Sequence, residues 1–346
     1  MTVWIRGDHL VRRRGPLARR PDERVLLVEA ESFARKLPYH PHKLTLVFSA
    51  MRHFRDHLRE AGREVVYRQT ETFADALAAH FEANPDDTIV TTTPQTDGGR
   101  ERIEALAADA GGSVEFVPDE RFCCSPAKFD EWAGDGRYRH EDFYRFMRRE
   151  TGYLLDDGAP VGGAWNYDDQ NRETPPDDWT PADPPTFEPD ETTEAVAEWV
   201  RETFDGGYDV PPYGGEWADP EPFRWPVTRR QAVRALDHFV THRLADFGPY
   251  QDAMRNGEWA MSHSLLSTSL NLGLLLPEEV IERAIAAYED GSAPLNSVEG
   301  FVRQVLGWRE FLRHVYRREM PDLATANQLD ADESLPEFYW TGDTDM

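Results

Sequence analysis

The chain has 346 residues, 64 of them acidic and 38 basic, giving a formal charge of −26, and 40% of its residues are hydrophobic. That apolar content and 10 Trp exclude a disordered acidic chain, which could not bury enough surface to offset its ordering entropy. The length suggests two domains or more, no stretch approaches the roughly 20 apolar residues that span a bilayer, and the opening MTVWIRGDHLVRRRG lacks the apolar core of a signal peptide. A cytoplasmic protein without membrane association is expected. Lys36, Lys43 and Lys128 are the only lysines, against 35 Arg. This dense carboxylate surface reads as an adaptation to high salt, where self-repulsion is screened, or alternatively as a surface meant for basic partners. The only cysteines, Cys123 and Cys124, are adjacent, which excludes a disulfide framework and any four-cysteine zinc or iron–sulfur site within this chain.

Residues 1–133 alternate β-rich runs with amphipathic helices: TVWIRG, RVLLVEAE, a helix through LVFSAMRHFRDHLREAG, then REVVYRQ, TFADALAAHFEAN, DTIVTTTP, GRERIEALAADAG and VEFVPD. In the first helix Val47, Met51, Phe54 and Leu58 share one face. Such alternation predicts a parallel sheet with helices on both sides. Open sheets bind ligands beyond the carboxyl ends of their strands, so Gly7, Asp8, His9, Glu29 and Glu31 are either site residues or loop caps. The absence of a glycine-rich fingerprint after strand one disfavours a nucleotide dehydrogenase.

From 134 to 225 the texture is that of a connector: GRYRHEDFYRFMRRETGYLL leads into a proline-rich stretch, with one helix near Thr193 to Thr203. From 226 to 346 the pattern is helical, with Pro277 at a first turn and Phe301, Val305, Trp308, Leu312 and Val315 forming a predicted buried stripe. The expected architecture is α/β followed by all-α.

His53 and His57 stand one turn apart, and His40 and His42 are close in sequence, yet neither pair has a further ligand nearby, so no metal site is assigned. Arg145, Arg148 and Arg149 interleave with aromatic residues. They read either as a nucleic-acid contact or as the polar face of a helix whose rings point inward. In SHSLLSTSLNLGLLLP, Ser264, Ser267 and Thr268 place hydroxyls at a predicted helix start, a phosphate-cradling pattern.

That stretch, followed by EGFVRQVLGWREF, resembles the flavin-cradling helices of the photolyase and cryptochrome superfamily. KLTLVFSAMRHFRDHLREAG, FYRFMRRETG with PVGGAWNYDDQNR, and LPEFYWTGDTDM are similar to the photolyase-related branch whose members carry an iron–sulfur cluster and include prokaryotic (6-4) photolyases. The resemblance spans essentially the whole chain. It implies an N-terminal Rossmann-like sheet domain, a connector and the first part of a helical FAD-binding domain.

It further implies that His263, Ser264, Leu265, Leu266 and Ser267 contact the flavin pyrophosphate, that Gln304, Trp308 and Arg309 lie along the cofactor or lesion pocket, and that Tyr250, Gln251 and Asp252 stand at its entrance. Trp340 resembles an electron-relay tryptophan, with core packing as the alternative for it and for Trp308. Asp8, Leu10, Glu29 and Met51 correspond to a site for a lumazine-like antenna chromophore, although ESFARKLPYHPHK departs from the lumazine-binding pattern. The chain stops at Met346, where relatives continue into their first cluster cysteine. The cluster ligands are therefore expected to be missing, in a truncated product or the first of two polypeptides. The implied function is light-dependent repair of damaged DNA by electron transfer from reduced flavin; the alternatives are a photoreceptor without repair and a non-catalytic antenna-binding remnant.

Overall fold

Five β-rich runs, Thr2–Ile5 (β1), Arg24–Ala30 (β2), Val65–Thr70 (β3), Thr88–Thr92 (β4) and Ser113–Val117 (β5), form one parallel sheet in the order β3-β2-β1-β4-β5. The computed structural model describes residues 1–37, 39–204, 221–341 and 343–345, without the side chains at 340 and 341. Val3 of β1 lies opposite Val25 of β2 on one side and Val90 of β4 on the other, all three buried. This is the apolar run of a strand covered on both faces. Helices α1 (Gly15–Arg19) and α2 (Glu31–Ala34) are too short to leave a periodic signal.

The longer helices α3 (Pro41–Glu60), α4 (Phe73–Ala83) and α5 (Gly99–Asp109) fall where the pattern predicted them. Trp4, Leu26, Val28 and Ile89 bury one sheet face against Leu77 and Phe81 of α4 and Ile103 of α5. The reversal of direction between β1 and β4 requires helices on both faces, and α3 lies against β2 and β3. Thr72 starts α4 with a capping box: its hydroxyl accepts from the Asp75 N–H (3.1 Å), and the Asp75 carboxylate accepts from the Thr72 N–H (3.1 Å).

Two units emerge from the packing. The first comprises the described residues of Met1–Asp119, Thr186–Thr228 and Pro321–Met346, the second those of Glu120–Pro185 and Arg229–Met320. Helices α6 (Pro126–Ala133) and α7 (His140–Thr151) belong to the second. Helix α8 (Glu191–Phe204) belongs to the first, where Trp199 meets Phe48 of α3 edge-on at 5.1 Å. The expected boundaries at 133 and 225 therefore need correction. The segment read as a connector is divided between the units because Phe143, Tyr144, Phe187, Val196 and Val200 are core residues, not linker. The described residues of 321–346, expected in the helical part, belong to the sheet unit and include α15 (Phe338–Thr341), which follows the helices named next.

The second unit continues with α9 (Arg229–His242), α10 (Leu244–Tyr250), α11 (Ser267–Leu272), α12 (Pro277–Glu289), α13 (Leu295–Val302) and α14 (Glu310–Glu319), with residues Arg303–Arg309 joining the last two in wider i→i+5 turns. Those turns overturn the predicted buried stripe. Each wide turn holds more than four residues, so the inward face advances by about one position. Phe301 and Val305 are buried as expected, but Trp308 is 39% exposed and Leu312 55%, and Leu306, Glu310, Phe311 and His314 take the inward places. No helix among the described residues is long and apolar enough to cross a membrane.

Candidate functional site

In the helical unit a cavity of about 540 Å³ is lined by Gln251 and Asp252 just after α10, by the loop His263–Leu266, by Ser267, Leu270 and Asn271 of α11, and by Gln304 and Arg309 of the wide turns, with Phe247, Phe301 and Val305 as its apolar wall. The phase shift in the wide turns puts Gln304 and Arg309, five residues apart, on the cavity together. In regular α-geometry Trp308 would follow Gln304 on that face. Instead Trp308 points away and stacks on His140, ring centroids 3.7 Å apart. Burial drives that imidazole's pKa down to about 4, so it is neutral at pH 7.

The loop before α11 has two non-glycine residues with left-handed backbones, Met261 (φ 41°) and Leu265 (φ 57°). Such backbones cost of order 1–3 kcal/mol each unless the surroundings impose them. Here the Ser264 hydroxyl accepts from the Leu266 N–H (3.4 Å), and Arg243 donates to the carbonyls of Ala260 (2.9 Å) and Met261 (2.7 Å). Burial, with Arg243 nearby, lowers the His263 pKa and keeps that ring neutral. On the opposite wall the Arg309 guanidinium donates to the Arg121 carbonyl (3.1 Å) and stacks on Phe122, while Arg121 donates to the Asn271 carbonyl (2.9 Å). Segment 121–124 thus ties α11 to α14, and the buried Glu310 carboxylate accepts from the Cys124 N–H (3.0 Å). Burial pushes the Cys124 thiol up to about 12, a poor nucleophile.

Of the residues singled out in the sequence, Gln251, Asp252, His263, Ser264, Leu265, Leu266, Ser267, Gln304 and Arg309 all line this one cavity. Tyr250 and Trp308 are not among its lining; Tyr250 packs edge-on against Trp179 at 4.8 Å. The side chain of Trp340 lies outside the described residues. Sequence reasoning missed Phe247, Leu270 and Asn271, whose apolar or amide side chains carry no motif, and Arg243, which interrupts what read as one helix.

Elsewhere the structure corrects several roles. Arg148 is 1% exposed and donates to the carbonyls of Tyr153 (3.2 Å), Leu154 and Trp165 (2.9 Å), so it is structural and cannot reach DNA. Arg145 pairs with Glu141 (2.8 Å), and Arg149 lies over the Trp165 ring. Phe143, Tyr144 and Met147 point inward, as the alternative for this segment required.

In the sheet unit Glu29 is 1% exposed and accepts two bonds from Arg52 (3.0 Å each), one from Gln69 (2.8 Å) and one from Tyr67. Its carboxylate is saturated by protein donors and has no direction left for a chromophore. Leu10 and Met51 are core residues. Asp8 is half exposed beside the buried His9 (3.0 Å), whose other ring nitrogen faces Asp119 at 3.4 Å. Glu31 pairs with Arg35 (3.0 Å). His40 caps α3 by accepting from the His42 N–H, while His53 meets Asp190 and His57 meets Arg12.

Comparison with known proteins gives the class first. Over 99% of its length the chain superimposes on a class III photolyase from Agrobacterium tumefaciens, covering 64% of that protein with a TM-score of 0.62 and 18% identity. At that identity the likeness shows a shared photolyase fold. The family model for deoxyribodipyrimidine photo-lyase-related proteins matches residues 3–208, and the chain belongs to this family. A (6-4) photolyase from Agrobacterium fabrum is 37% identical over 329 residues, 93% of this chain and 63% of the relative. An uncharacterized protein of Acanthamoeba polyphaga mimivirus is 33% identical over 96 residues, 28% of this chain and 73% of that protein. The chain thus spans about 63% of the length of the (6-4) photolyase it matches.

Proposed function

We propose that this chain binds FAD in the cavity of its helical unit and forms part of a light-driven photolyase acting on damaged DNA. The observation that carries the reading is the chemistry of that cavity. Two serine hydroxyls, two glutamine amides and one guanidinium converge on a space whose wall is made of two buried phenyl rings and aliphatic side chains. Its volume of about 540 Å³ lies in the ~300–1,000 Å³ range of cofactor clefts. The residues fit a flat ring system carrying phosphates: among the described residues Asp252 is the only carboxylate in the lining, and Thr268 Oγ1 in the adjoining turn is buried with no hydrogen-bond partner.

Ser264 and Ser267 would donate to phosphate oxygens, and Arg309 supplies positive charge on the facing wall. Phe247 and Phe301 keep water from the ring-binding end, and the neutral His263 offers a hydrogen bond without adding charge. Bound and reduced, FAD supplies the light-excited electron that reverses a pyrimidine lesion. Damaged DNA would be met through the exposed guanidinium of Arg149 and the half-buried, Glu141-paired Arg145, contacting phosphates, with the lesion flipped out where damage has weakened stacking. Of the four antenna residues, Asp8 alone keeps a partly exposed polar group, so a light-harvesting chromophore would rest on it.

The test is a repair assay on an oligonucleotide carrying one (6-4) photoproduct. The chain is loaded with FAD and assayed alone and together with the region corresponding to the rest of its relative's length. Loss of the lesion under blue light but not in darkness supports the reading. Flavin photoreduction with the lesion intact in both preparations would refute repair and favour a photoreceptor.

A further inference from the structure

We propose that Arg243 is a positioning residue that gives the cavity its preference for a phosphate-bearing flavin over an uncharged one; this rests on the flavin reading above. Arg243 follows α9 at the position where the predicted single helix breaks, and it is 1% exposed. A guanidinium stays charged inside a protein, and a buried charge is costly unless something compensates it. Two other buried arginines among the described residues are fully compensated: Arg303 meets Asp168 (3.1 Å) and Glu299 (3.3 Å), and Arg148 has three carbonyls.

Arg243 has neither. Among the described residues its Nη2 alone is engaged, on the carbonyls of Ala260 and Met261, while its Nε and Nη1 are buried without a hydrogen-bond partner and no ion pair is formed. Its charge therefore reaches its surroundings without an anion to cancel it, and it is felt at the cavity lining, where it helps depress the His263 pKa. The two carbonyls it grips open the loop that carries His263 and Ser264 and leads into Ser267 of α11, and Met261 is one of the loop's two left-handed non-glycine residues. One side chain thus fixes the geometry of the hydroxyl-bearing loop and sets a positive potential behind it. An uncompensated buried cation beside hydroxyl donors favours an anionic ligand, and in a dinucleotide flavin the anionic part is the pyrophosphate.

The discriminating measurement is a ratio. Affinities for FAD and for riboflavin, which shares the ring system but has no phosphate, are measured by flavin fluorescence for the wild-type chain, Arg243→Lys and Arg243→Met, on the folded fraction isolated by gel filtration. Adenine contacts enter the wild-type and variant ratios alike, so the change in ratio isolates the charge. We expect Arg243→Met to lower the FAD-to-riboflavin preference by about tenfold, equivalent to about 1.4 kcal/mol, and Arg243→Lys to keep most of it. A purely structural role would weaken both ligands equally and leave the ratio unchanged, which overturns the inference while the flavin reading stands. A wild-type chain that binds neither ligand refutes the flavin reading and this inference with it.

Discussion

Replacing Gly307 by alanine sets two effects of opposite sign against each other. In a helix alanine is favoured over glycine by about 1 kcal/mol. Against that gain, a Cβ at 307 would stand 2.7 Å from Nε2 of His140 and 3.3 Å from Cδ2 of Tyr144. Neither ring yields freely: Tyr144 is fully buried, and His140 can move only by leaving its stack on Trp308. Overpacking of this kind costs about 1–3 kcal/mol, and loss of an aromatic pair about 0.5–1.5 kcal/mol within it. The balance is a net loss of about 1 kcal/mol. Urea unfolding followed by far-ultraviolet circular dichroism measures it. A variant stabilised by the full propensity gain would show that α7 does not rest against the wide turns. The phase argument that brings Gln304 and Arg309 onto the cavity would then fail.

Truncating Glu29 to alanine strands Arg52, Tyr67 and Gln69 and should cost about 3–5 kcal/mol in urea unfolding; a loss below about 1 kcal/mol would return Glu29 to the candidates for ligand binding. Arg148→Ala should destabilise by about 1–3 kcal/mol and leave the salt dependence of DNA binding unchanged, whereas Arg149→Ala should reduce that slope by about one; the opposite pattern in a salt titration would contradict the assignment. Burial pushes the Glu310 carboxyl up to about 7 from an ordinary 4.5. The folded chain thus holds that proton more tightly than the unfolded one, and the contribution is complete below pH 4.5 and lost as pH rises to 7. Glu310→Gln should flatten this decline in melting temperature. His140 and His314, lowered by burial to about 4 from 6.5, act in the other sense, their contribution present above pH 6.5 and lost as pH falls toward 4. His314→Gln should therefore soften the acid limb of the same profile.

The parallel sheet was legible because its signals are local: five β-rich runs alternate with helices whose apolar residues recur at i, i+3 and i+4, such as Met51, Phe54 and Leu58, while the strand order came from the structure. The division into units was not. Aromatic residues of the proline-rich region, such as Phe187, are buried by partners distant in sequence, and no local pattern announces that. The wide turns at 303–309 defeat any argument built on a fixed 3.6-residue period, which is why Trp308 and Leu312 were assigned inward and lie outward. Residues on the loop 263–267 were reached through family resemblance and not through composition, since serine-rich helix starts are common. Arg243 and Arg148 were illegible as buried groups because arginine is an exposed residue by default, and only the structure shows carbonyls waiting for it.

The most direct test of the account is an equilibrium titration of the chain with FAD, comparing wild type with the double variant Ser264→Ala, Ser267→Ala. Two lost phosphate contacts at about 1 kcal/mol each predict saturable one-to-one binding that weakens roughly thirtyfold in the variant. Absence of saturable binding, or equal affinity in the two proteins, would contradict the assignment of this cavity to flavin.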